Sequence, residues 1–286
     1  ALPNPTTGAP TPLIEMEMEA GPGDDSATLT IDFTPPGGGG GGEGEGEGEG
    51  EGEGEGEGEG EIEATLTVIK SIAVENNDSE EKLNTAPHTV DTQGAIDITS
   101  SDLEIASEGG GGLNWQVVGV QYNGLGIPQG ATIRNATITF TVDATGDAGD
   151  PNVTIFAEAV PNSAEFSETP FDLSSRARSS VSVSWAPAEV VNGDVGTAVV
   201  TPDVTALVQE IVNQPTWTPD NMISFLIFPN AYLALANPST GGDTVVQEIE
   251  FEGGPGPDSA TLSVTFTATV STSNLITSNL YPPFVD

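Results

Sequence analysis

The chain is expected to be all-β: a jelly-roll-like antiparallel β-sandwich with one short helix, plus an N-terminal β-hairpin on a Gly-rich linker. Three observations point there. From residue 64 onward, short β-branched and aromatic runs alternate with Gly, Pro, Asn and Asp turns. A phrase with strand–turn–strand patterning occurs twice, once near each end of the chain. Only one segment, 201–214, carries apolar residues at helical spacing.

The repeat is the most informative of the three. Ile14 to Thr34 reads IEMEMEAGPGDDSATLTIDFT, and Gln247 to Thr267 reads QEIEFEGGPGPDSATLSVTFT. They align without a gap at an offset of 233, and 13 of 21 positions are identical. Each copy has an alternating acidic strand, a Gly-Pro-Gly turn and a second alternating strand, which predicts a β-hairpin. The apolar positions are Met16, Met18, Leu29, Ile31 and Phe33 in the first copy, and Ile249, Phe251, Leu262, Val264 and Phe266 in the second. A hairpin with one apolar side is marginal alone and needs a sheet to lie against. A third fragment, Glu61 to Val68, repeats the closing ATLT phrase without the turn.

Between the first copy and the rest lies a low-complexity stretch, 35–60, of two prolines, six glycines and Glu-Gly repeats from Glu43. In an extended chain the glutamates share one face, roughly 7 Å apart, at about 0.6 kcal/mol per neighbouring pair in water. Nine such pairs approach roughly 5 kcal/mol with no apolar burial to offset it, so alone the tract is a linker. The expected units are an N-terminal extension and hairpin, 1–34, the linker, 35–60, a β-sandwich core, 61–244, a C-terminal hairpin, 245–270, and a tail, 271–286.

Within the core, strands are expected at 64–74, 102–107, 115–122, 135–143, 152–160, 180–185 and 221–228. The helix is expected to start with Thr201 as cap and Pro202 in its first position, and to end before Pro215. Its stripe of Val204, Leu207, Val208, Ile211 and Val212 reads as core packing.

Trp115 to Val142 (WQVVGVQYNGLGIPQGATIRNATITFTV) and Thr201 to Phe228, with Asp203-Val204-Thr205, resemble a DNRLRE-type domain, a β-sandwich related to carbohydrate-binding modules. The matching features are Ile127-Pro128, Gly130-Ala131-Thr132-Ile133, Ala136 and Trp185. The resemblance covers about residues 100–230. It implies a jelly-roll-like fold and a polysaccharide partner. The family's Arg-rich strand pattern is missing, with Gln116, Gly119 and Gln121 in that neighbourhood.

Composition excludes several functions. With 44 acidic and 5 basic residues the net charge is −39, which leaves no basic surface for nucleic acid. Cys is absent, so disulfides and thiolate chemistry are out. The longest apolar run, Met222 to Phe228, is too short to insert in a membrane. The one histidine, His88, sits in a polar loop without a partner motif, and no acid, base and nucleophile set is assembled, so the chain is not expected to be an enzyme. Calcium is the one cofactor with a chemical case, through turn aspartates. The candidates are Asp143, Asp147 and Asp150 in one loop, and Asp24, Asp25 and Asp258 in the repeat turns. Trp115 and Trp185 are expected in the core. Trp217, in a Pro-Thr-Trp-Thr-Pro loop, is the candidate surface contact, and Arg176 and Arg178 are expected to decorate a loop.

Together these features suggest a secreted or cell-surface structural protein whose partner is itself, assembling head-to-tail by strand or hairpin donation in the logic of bacterial pili. The linker supplies the reach, roughly 80 Å if extended. The alternative is a monomeric carbohydrate-binding or adhesive module.

Overall fold

The computed structural model describes residues 13–18, 27–32, 61–83, 93–108, 114–144, 151–187, 195–236, 245–246 and 248–271. His88, Phe33, Asp24, Asp25, Asp147, Asp150 and the Glu-Gly tract lie outside them.

The strands are, in order, β1 (Leu13–Met18), β2 (Ala27–Asp32), β3 (Glu61–Ser71), β4 (Asp78–Lys82), β5 (Ile96–Asp97), β6 (Asp102–Ile105) and β7 (Gln116–Tyr122). Next come β8 (Thr132–Ala144), β9 (Val153–Ala157), β10 (Val183–Trp185), β11 (Ala198–Val200), helix α1 (Thr205–Val212), β12 (Ile223–Pro229), helix α2 (Asn230–Leu233), β13 (Ile249–Glu252) and β14 (Thr261–Ser271). One sheet has the order β10-β9-β12-β7-β4-β5; the other is β3-β14-β8-β13-β6, with β11 paired to β8. All these pairings are antiparallel. The expected all-β sandwich with a short helix is what the chain adopts.

β8 shows why the two sheets stack. Ile133, Ala136, Ile138, Phe140 and Val142 are buried, while Thr137, Thr139 and Thr141 between them are only half-buried. Phe140 stacks on Trp185 of the other sheet with centroids 5.6 Å apart, and on Phe251 at 5.0 Å. α1 packs on β8 and β9, one strand from each sheet, and buries Leu207, Val208, Ile211 and Val212. The helix begins later than expected. Thr201 is not its cap: its Oγ1 accepts the Ile138 N–H at 3.0 Å, extending the edge of β8. Asp203 Oδ1 instead accepts the Thr205 N–H at 2.8 Å.

Two further expectations are corrected. Trp217 is no surface contact. It is 2% exposed, its Nε1 donates to the Ile127 carbonyl at 2.8 Å, and the Gly126 N–H ties the same loop down through the Pro219 carbonyl at 3.0 Å. The Arg176 side chain turns inward rather than decorating a loop. It bonds Glu158 at 2.7 Å and Asp172 at 3.1 Å.

Candidate assembly interface

The two copies of the repeat share a sequence but not a conformation. In the first, β1 pairs β2 as a hairpin, matching Ile14 with Ile31, Met16 with Leu29 and Met18 with Ala27. Apolar pairs thus alternate with the polar rungs Glu15–Thr30 and Glu17–Thr28. The second copy is not the hairpin expected at 245–270. β13 and β14 both run antiparallel to β8, Phe251 opposite Val142 and Thr261 opposite Thr139, so they lie end to end along one edge of β8. Residues 253–260 leave the sheet between them.

The cause is visible on the far side. β14 pairs with β3 from Ser71 opposite Thr261, and β13 pairs with β6 from Asp102 opposite Glu252. The chain leaves the sheet between β3 and β6 to build β4 and β5, and the turn of the second copy spans that gap. Gly253 N–H bonds the Ser101 carbonyl at 2.8 Å, and Gly254 N–H bonds Asp78 Oδ2 at 2.7 Å. Gly254 adopts a φ of 66°, which its missing Cβ permits.

The named assembly residues of the second copy are therefore spent inside their own chain. Ile249, Phe251, Leu262, Val264 and Phe266 are all buried, and β13 and β14 are inner strands of the sandwich rather than a unit beside it. In the first copy, Met16 and Met18 belong to β1, and Leu29 and Ile31 to β2. β2 lies beside β3, the outermost strand of its sheet. β3 is eleven residues long and pairs with β14 throughout without a bulge. Its charged residues are Glu61 and Glu63 at its start and Lys70 near its end, and between them Ile69 is 55% exposed. Across β3 and β14 runs a hydroxyl ladder, with Thr67 and Thr265 Oγ1 atoms 2.9 Å apart and Ser71 and Thr261 hydroxyls 3.0 Å apart.

Carboxylates form the second notable feature. β4, Asp78-Ser79-Glu80-Glu81-Lys82, reads as a polar turn, yet its first four residues are buried. Each carboxylate receives a backbone N–H from a different segment. Asp78 takes Gly254, Glu80 takes Glu104 of β6, and Glu81 takes Ser174 at 2.7 Å. Burial pushes the carboxyls of Asp78 and Glu81 up to about 7, and burial together with the adjoining Glu104 also holds Glu80 well above the usual carboxylate range. Periodicity gave no sign of these roles, since five polar residues in a row follow neither strand nor helix patterning.

Of the candidate metal ligands, Asp143 meets Asp102 and Glu250: one carboxylate oxygen from each lies within 4.8 Å of the others. Burial raises the Glu250 carboxyl to about 7, helped by a hydrogen bond with Asp102 and by the Asp143 and Glu104 charges. Glu252 is raised as well, by burial and then by the charges of Asp143, Asp258 and Asp102, which brings Asp258 to the edge of the same cluster. Such a set shares protons at neutral pH or accepts a hard divalent cation.

A sugar platform is less well supplied. All three tryptophans are buried, and Phe171, 44% exposed, is the one strongly exposed aromatic among the described residues. No family model matches the chain, and no characterised protein of similar sequence matches it.

Proposed function

We propose that this chain is a secreted structural subunit that polymerises head-to-tail, giving residues 13–32 to the sheet of the next copy. One observation carries the reading. The same phrase, identical at 13 of 21 positions, forms inner strands of the sandwich at one end of the chain and sits beyond a long acidic linker at the other. A segment already fitted to this sheet, and tethered at reach, is suited to bind another copy of it. A head-to-tail contact that does not close on itself extends into a filament. The DNRLRE-type resemblance contributes the sandwich to this reading. Its sugar partner gains no support from the buried tryptophans.

Electron microscopy and light scattering at several concentrations test the reading on the full chain and on a chain lacking residues 1–36. Filaments from the full chain and folded, non-elongating monomers from the shortened one are expected. Filaments of normal length from the shortened chain overturn strand donation. A 29.2 kDa particle at every concentration that binds polysaccharide favours the adhesive module instead.

A further inference from the structure

We infer that the outer edge of β3 is the acceptor site, and that its occupant is residues 27–32 of a second copy of this chain; the inference rests on the assembly reading above. Three strands carry variants of one phrase: Ala27-Thr28-Leu29-Thr30-Ile31, Ala64-Thr65-Leu66-Thr67-Val68 and Ala260-Thr261-Leu262-Ser263-Val264. The second and third already pair along eleven rungs, joined by the Thr67–Thr265 and Ser71–Thr261 hydroxyl contacts. β3 thus accepts this phrase on one edge. On the other it is the terminal strand of the sheet, long and unbulged, and among the described residues no strand is hydrogen-bonded to that edge. Within a single chain β2 lies next to that strand without pairing to it.

Repulsion within the Glu-Gly tract favours the β2 of a neighbour over the chain's own. Residues 33–60 join β2 to β3, and nine of them, Glu43 to Glu59, are glutamates in strict alternation with glycine. Occupying the site in the same chain folds this polyanion into a closed loop with neighbouring ends. Occupying a neighbour's site lets it extend, as repulsion favours. Main-chain pairing with threonine neighbours on both sides also prolongs an existing ladder instead of starting a new contact surface.

The absence of cysteine from the chain makes introduced pairs unambiguous. Two full-length variants are prepared, one with Thr30→Cys in β2 and one with Thr65→Cys at an exposed position of β3; Thr28→Cys and Glu63→Cys provide a second pair in case a variant melts early. The two single variants are mixed under oxidising conditions, and a double variant is oxidised alone over a dilution series. Electron micrographs are taken of every sample. The expected result is a covalent dimer of the mixed single variants and a shift of the double variant from monomer to a ladder of covalent multimers. A double variant that closes only within its own chain at all dilutions overturns the second copy as occupant. Filaments without cross-linking by either pair overturn the β3 edge while leaving polymerisation intact. Neither filaments nor cross-links overturns both this inference and the assembly reading.

Discussion

Arg176 shows how far a single side chain departs from its apparent role. In the stretch SSRARSS it looks like loop decoration. In the fold its side chain is 6% exposed, donates to the carbonyls of Ala164 and Glu165 at 2.8 and 3.0 Å, and lies 4.7 Å from the Phe166 ring centre. Removing it leaves Glu158 and Asp172 without their cation. Arg176→Met is expected to cost about 3–5 kcal/mol in urea unfolding, and Arg176→Lys a large part of that, because an ammonium lacks the planar fork. The buried acids of β4 make a second prediction. Asp78 and Glu81, raised to about 7 by burial, favour the fold in their neutral form. Their folded values lie above the unfolded ones, so stability falls as pH rises from about 4 to about 7 and then levels off. Asp203 and Glu210 work the other way below that window. Hydrogen bonds from Thr205 hold Asp203 down; at Glu210 slight burial is outweighed by bonds from Ser180 and Val181. Their contribution is lost as pH falls through those lowered values. Melting temperature is expected to peak at about pH 4–5, and Asp78→Asn with Glu81→Gln to flatten the fall towards neutrality.

At the scale of elements, one phrase takes two conformations because its surroundings differ. In the first copy the two strands pair with each other as β1 and β2, with β2 lying beside β3. Between β8 and the β3/β6 edge, each strand finds better partners and the turn becomes a bridge across a gap. Local patterning signals two strands and a turn in both cases; it cannot say which strand pairs with which. Glycines mark where such arrangements are tight. A Cβ on Gly119 of β7 would lie 2.6 Å from Phe166 and 2.8 Å from Leu173, since the segment around 163–175 closes directly on that strand. Gly119→Ala is expected to destabilise by about 1–3 kcal/mol through forced repacking. Gly254→Ala, at positive φ and with Glu75 Oε2 only 3.3 Å from the added carbon, should lose about 1 kcal/mol. Thermal melts of both variants measure these losses.

For the whole molecule, the net charge of −39 would set the conditions of the polymerisation proposed above. In that reading, bringing copies together concentrates the carboxylates of the Glu-Gly tracts, so association is opposed unless cations gather. Divalent ions satisfy carboxylate oxygens directly, whereas monovalent salt only shortens the screening length. Millimolar calcium is therefore expected to raise the melting temperature of the polymer more than sodium at equal ionic strength. Replacing the tract glutamates by glutamine should reduce that difference and leave the sandwich's own melting nearly unchanged. Equal shifts in the two salts would count against cation bridging.

The sequence by itself determined the all-β class, most of the central strands and the apolar face of α1. These follow from period-2 and period-3.6 patterning, which is local and survives without knowledge of neighbours. It also exposed the repeat, and with it the case for self-assembly. Only the tertiary structure decided that Asp78–Lys82 is an inner strand, that Trp217 is core, that Asp143 meets Glu250, and that the second copy lies end to end along β8. Those outcomes depend on contacts between residues far apart in the chain. A buried carboxylate looks like an exposed one until the backbone N–H that receives it, and the strand that covers it, are in place.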